Sequence, residues 1–236
     1  MGTRGLYGFR KNGIDKLTYN HYDSYPDYLG QIMVEFCKTT SIEEMNEIFD
    51  RIILVAENST PTQEQITECI EFYDEGVSTG KVEDWYCLLR EAQGNPNVYK
   101  HGLKYMVDNQ NFIKDSLFCE YAYIINLDTE CLEFWVGFQK EPDENNRYGT
   151  EVDDGYYPCK LLEEYSLGEI NESLVEVIVN DMNCLVEREY AEDTDEAEED
   201  RGVTVDDFDD IADAIKNCRT SGTLDNGIKW RLEFDI

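Results

Sequence analysis

His21 and Asp23 are the first two residues in this chain whose types could do acid–base chemistry together. A carboxylate beside an imidazole orients the ring and raises its basicity. Around them Arg4, Arg10, Lys11 and Lys16 stand against one acid, Asp15, so the segment before His21 is basic in a chain of formal charge −32. Arg4, Arg10, Lys16, Tyr19, His21 and Asp23 are therefore candidate ligand-binding residues for a small anion or nucleotide, with His21 and Asp23 as a candidate hydrolytic pair. The same residues also suit a structural role. Side chains two apart in an extended strand share a face without touching, and Arg4 paired with Asp23 would hold the opening segment to the elements behind it.

The element that must position them is a β-hairpin. Leu6-Tyr7 and Phe9 form one β-prone run and Leu17-Thr18-Tyr19 another, and Asn12-Gly13 between them is the strongest short hairpin signal, because both residues tolerate positive φ. The second strand leads into Asn20 to Pro26, a loop whose Asp, Ser and Pro favour turns. Helices follow. Tyr28, Ile32, Met33, Phe36 and Cys37 recur at helical spacing, predicting a helix over 27–38; Ser41 with Glu44 starts a second over 42–57; Thr60-Pro61-Thr62 starts a third with Ile66, Cys69, Ile70 and Tyr73 inward; and 83–91 makes a fourth. Beyond the Gly94-Asn95-Pro96 break the period changes to two. Residues 120–127 and 131–138 form a second hairpin, 156–165 a further strand near an edge, and 141–155 a polar, mobile loop. The expected fold is α+β: a mainly antiparallel sheet built from the N-terminal and central hairpins, packed with a block of about four helices in a single domain over 1–236.

The opening, from Gly2-Thr3-Arg4-Gly5 through Tyr19-Asn20-His21, Asp23, Tyr25-Pro26 and Leu29-Gly30, resembles a family of bacterial and bacteriophage proteins that begin Met-Gly-Thr-Arg and continue into this aromatic and Pro-containing signature. A weaker resemblance continues over 121–139 and 156–167. That family has no established activity, so the resemblance implies kinship more than function. The order of elements is also similar to that of N-terminal-nucleophile hydrolases. Those enzymes need Cys, Ser or Thr as the first mature residue, and here Gly2 would follow Met1, so the likeness implies a fold without that chemistry.

Charge points to a second kind of function. Fifty-two acids against twenty Lys and Arg disfavour direct binding to nucleic acid or anionic lipid. Between Glu151 and Asp213 there are twenty-three acids and three basic residues. The stripe Ile170, Leu174, Val177, Ile178, Met182 and Leu185 predicts a helix there, followed by an acidic, mobile loop near 190–204 and a short helix over 206–216. Glu192, Asp193, Asp195, Glu196, Glu198, Glu199, Asp200, Asp206, Asp207, Asp209 and Asp210 are candidate partner-binding residues, able to stand in for phosphates before a basic host protein. On this reading the chain is a non-catalytic, acidic interaction protein of bacteriophage or mobile-element type that binds and inhibits a basic host protein.

The eight cysteines contain no Cys-x-x-Cys spacing and no secretory leader precedes them, so reduced thiols in a cytoplasm are expected and a zinc site is not. The acidic run lacks the glycine turn and trailing Glu of a calcium loop. No apolar run is long enough to cross a membrane, and no nucleotide, hydrolase or kinase motif occurs, so no cofactor is expected.

Overall fold

Asn12 and Gly13 both take positive φ, 53° and 73°, and close a tight turn between β1 (Gly5–Lys11) and β2 (Ile14–Asn20), as the sequence predicts. A computed structural model describes residues 2–199, with side chains through 191. The turn's two N–H groups donate to the Asp128 carboxylate at 2.6 and 2.9 Å, and these bonds hold that carboxyl below its usual range. Asp128 lies in the turn of the second hairpin, β5 (Tyr121–Asn126) and β6 (Cys131–Val136), so each hairpin turn is fixed to the other.

The strands join in the order β2-β1-β5-β6-β7, with β7 (Lys160–Ser166) at one edge. All neighbours are antiparallel except β1 and β5, which pair in parallel from Gly5 opposite Tyr121 to Arg10 opposite Asn126. The inner strands are buried on both faces, which explains the near-continuous apolar runs Tyr121–Ile125 and Phe134–Val136. Leu6, Leu17, Ala122, Ile124 and Trp135 share one face with Ile113, Cys119 and Cys159. The other face carries Tyr7, Phe9, Tyr123 and Phe134; Phe9 meets Phe36 of α1 (Gln31–Thr39) edge-on at 6.0 Å. Gly8 sits mid-strand because a Cβ there would lie 2.1 Å from the Lys16 carbonyl oxygen.

Several elements depart from the sequence reading. The helix expected over 42–57 ends early: α2 is Ile42–Arg51, and Ile53–Val55 form β3. These apolar residues, two of them β-branched, pair in parallel with β4 (Tyr105–Val107), an exchange that local periodicity cannot report. The third helix, α3 (Gln63–Cys69), is capped reciprocally by Thr62 and Gln65 and tightens into a single 3₁₀ turn at Ile70–Phe72, leaving Ile70 exposed. The fourth reduces to α4 (Trp85–Leu88) and a 3₁₀ turn at Arg90–Ala92, with α5 (Asn97–Lys100) beyond the break. Tyr28, expected inward, is exposed. The 141–155 loop is bound down: Asn146 donates to the Cys159 carbonyl at 2.8 Å, and Arg147 and Tyr148 reach back to Glu133 and Asp15.

By its internal contacts the chain divides into units of 1–185 and 186–236. The last described helix, α6, runs Val175–Glu199, so the backbone of 192–199 is helical where the sequence suggested a solvated loop. Among its described side chains Val175, Ile178, Val179 and Met182 are buried, while Val177, expected in that stripe, is exposed. The short helix expected over 206–216 lies outside the described residues. Seven free thiols are described, five of them buried. Among the described residues no helix is long and apolar enough to cross a membrane.

Candidate functional site

The hairpin divides the expected ligand set between its two faces. Arg10 pairs with Asp15 at 2.8 Å, and Tyr148 donates to the other oxygen of that carboxylate at 3.1 Å. Lys16, on the opposite face, donates to the carbonyls of Phe49 and Ile52 at 2.8 and 2.7 Å and lies over the Phe49 ring. It closes the C-terminal end of α2, where unsatisfied carbonyls attract a cation. Asp23 accepts from the Tyr25 hydroxyl at 3.3 Å, and the ring partner of His21 is the Tyr19 hydroxyl, 3.0 Å from Nδ1. The His21–Asp23 dyad is therefore not formed. Arg4 lies over the Phe118 ring at 5.0 Å, and its charge is felt at His21.

Tyr19 and His21 do border a cleft, and its other residues come from segments to which the sequence reading gave no site role. Strands β3 and β4 end together at Val55 and Val107; Asp108 follows directly and Glu57 one residue further on, and both line the cleft. Asn109 then docks on edge strand β2: its N–H donates to the Leu17 carbonyl at 3.0 Å and its side-chain oxygen accepts from the Tyr19 N–H at 3.1 Å. An inner chamber of about 500 Å³ lies here, walled by Tyr19, Trp85, Tyr86 and Phe112 and by the carboxylates of Glu57, Asp108 and Asp115. A wider outer mouth shares Glu57, Tyr86 and Asp108 with it and adds His21, Asp84 and Arg90. The chamber falls within the range of about 300–1,000 Å³ usual for small-molecule sites.

Arg90 is the unusual residue. Asp84 caps α4 by accepting from the Tyr86 N–H at 2.9 Å, and Trp85, Leu88 and Leu89 turn into the core. Tyr86 and Arg90, four residues apart, are left together at the mouth. The Arg90 guanidinium lies 4.3 Å from the Tyr22 ring centroid and donates through Nη1 to Gln93 at 2.8 Å and to the Tyr86 hydroxyl at 3.3 Å. Arg90 is only 7% exposed, its Nε has no partner, and among the described residues no carboxylate forms an ion pair with it. A buried cation with only neutral partners is costly, and such groups in native proteins are ordinarily paired.

His21 sits beside it, its backbone N–H donating to Gln93, the same side chain that Arg90 holds. Partial burial, then the charges of Arg90 and Arg4, push its pKa below the ordinary histidine value. Burial raises that of Tyr19, so the phenol keeps its proton at neutral pH. In the neutral tautomer that accepts from Tyr19 at Nδ1, His21 carries its proton on Nε2 as a second donor. Among the described residues no group of three His, Cys, Asp or Glu side chains is placed to hold a metal ion.

Of the expected ligand set, then, the structure brings Tyr19 and His21 to the cleft, with Arg4 near enough to act through its field. Arg10, Lys16 and Asp23 are used elsewhere. Arg90, Tyr86 and Gln93 were missed; their only local trace is the four-residue spacing of Tyr86, in α4, and Arg90, in the 3₁₀ turn after it. Of the acidic candidates, 192–199 lie in α6 by backbone, and Asp200, Asp206, Asp207, Asp209 and Asp210 lie outside the described residues. No protein-family model matches the chain, and neither does any curated protein or solved structure.

Proposed function

We propose that the unit formed by 1–185 binds a small organic oxyanion, a carboxylate or a phosphate ester, with its charged head between Arg90 and His21. The observation that carries this reading is Arg90 itself: a residue nine-tenths buried whose guanidinium has no ion-pair partner among the described residues, in a chain rich in acid. An oxyanion would accept from the guanidinium edge and from His21 Nε2–H, both charge-assisted bonds. The site offers binding, and His21 gives it one group able to exchange a proton with a bound molecule.

Calorimetric titration with para-ethylbenzoate and with phenyl phosphate tests the reading. Saturable binding of either supports it, and no binding of either at millimolar concentration overturns it. The benzoate also tests His21, since its own charge is constant above about pH 5.5. In the free protein the His21 pKa is depressed, and a bound anion raises it, so binding takes up a proton as pH falls toward the pKa of the complex. Affinity should therefore increase on going from about pH 7.5 to about pH 5.5, by at most tenfold per pH unit for one proton. A His21→Gln variant should lose that slope; a slope retained in the variant would assign it elsewhere.

Charge favours a second reading for the C-terminal part of the chain. Glu163, Glu164, Glu169, Glu172, Glu176 and Glu187 are all exposed, continuing the acidic character of the sequence that follows. Such a surface suits a basic host protein as partner, with an attraction that added salt screens at separations beyond about one Debye length. Neutralising Glu192 to Asp210 in groups should release a partner that high salt also releases. Retention unchanged by either treatment would contradict it.

A further inference from the structure

We infer that the ligand is zwitterionic: beside the oxyanion held at Arg90, it carries an ammonium group that enters the aromatic inner chamber. This rests on the anion site proposed above and extends it to the other half of the same cleft. The chamber's titratable walls are all acidic or phenolic, Glu57, Asp108 and Asp115 among them, and no Lys, Arg or His lines it. The partners of the first two carboxylates are neutral amides. Asn109 Nδ2 donates to Glu57 at 3.1 Å, and Gln110 donates to Asp108 through its backbone and side-chain nitrogens at 3.3 and 3.2 Å. Among the described residues none of the three carboxylates forms an ion pair.

The cleft thus holds charge of both signs that is not paired among the described residues: Arg90 borders the mouth, Asp115 the chamber, and Glu57 and Asp108 both, without pairing with Arg90. A pure anion would neutralise Arg90 and be repelled by the chamber. A pure cation would meet the reverse. A molecule with both charges satisfies each end, and the π faces of Tyr19, Trp85 and Tyr86 favour the same sign of charge as the carboxylates do. The unpartnered Arg90 Nε and the acidic chamber are independent observations that ask for opposite ends of one ligand.

A matched pair of probes tests the inference. Para-aminoethylbenzoate and para-ethylbenzoate have the same outline and the same carboxylate and differ by one ammonium group. In calorimetric titrations at neutral pH, the amine-bearing probe should bind about tenfold tighter or better. That ratio should fall towards one in Glu57→Gln and in the Glu57→Gln/Asp108→Asn double variant, each checked for cooperative unfolding. If the double variant fails to fold, the single variant decides. Equal binding of the two probes by the wild type, or tighter binding of para-ethylbenzoate, would overturn the zwitterion while leaving the anion site in place. Failure of both probes to bind would remove the anion site and the inference together.

Discussion

Replacing Arg90 by methionine is expected to weaken anion binding severely while leaving the unliganded protein at least nearly as stable as before. In the free protein Arg90 is buried with no carboxylate partner among the described residues, a cost of several kcal/mol for an unpaired buried ion. Gln93, the Tyr86 hydroxyl and the faces of Tyr22 and Tyr86 offset part of it, the aromatic contacts by roughly 0.5–2 kcal/mol each. Methionine keeps the volume and removes the charge, so the stability measured by urea unfolding should change by less than about 1 kcal/mol, or rise. Binding of para-ethylbenzoate should weaken by about 2 kcal/mol or more, roughly thirtyfold, because a charge-assisted pair is lost. Arg90→Lys should restore little of it, since an ammonium lacks the planar fork. A methionine variant that binds normally and is destabilised by more than about 2 kcal/mol would make Arg90 a structural residue.

The opposite balance is expected at Arg147. Its guanidinium meets the Glu133 carboxylate with both terminal nitrogens, and Glu133, 1% exposed, also accepts from Asn126 at 2.6 Å and Trp135 Nε1 at 2.9 Å. Arg147 covers the ring of Trp135 at 4.6 Å and that of Tyr148 at 4.9 Å. Truncating it to alanine leaves a carboxylate in the core of the sheet and uncovers an indole, so a loss of about 3–5 kcal/mol is expected in urea unfolding. Adding Glu133→Gln should recover part of the loss, because an amide tolerates burial better than an unpaired charge. A loss below about 1 kcal/mol in the single variant would mean that water reaches Glu133 once the loop is cut free.

The pair also shows what the sequence withheld. Arg147 reads as one more charge in a polar loop, and nothing within fourteen residues marks Glu133 as its partner. By contrast, Asn12-Gly13 and the alternation of the flanking strands are local signals, and both hairpins were legible from them. The parallel pairing of β1 with β5 was not, since it joins residues more than a hundred positions apart. Ile53–Val55 failed for a related reason: a short apolar run at the end of a helical stripe continues the helix by periodicity, and only its distant partner, Tyr105–Val107, makes it a strand. The candidate site was half legible. The concentration of basic residues near the N-terminus led to Tyr19 and His21, but Arg10 and Lys16 had local structural uses that composition cannot distinguish from ligand binding. Arg90 carried no signal of its own, because its significance lies in the absence of a neighbour.

The most direct test of the account is the Arg90 Nε–Hε resonance in a ¹H–¹⁵N spectrum of the isotopically labelled protein. A buried Hε without a partner should give a resolved signal that disappears in Arg90→Met. Added para-ethylbenzoate should shift that signal saturably, with the same dissociation constant that calorimetry gives. A signal that stays in place while the probe binds, or a probe that moves resonances only away from the cleft, would contradict an anion site at Arg90.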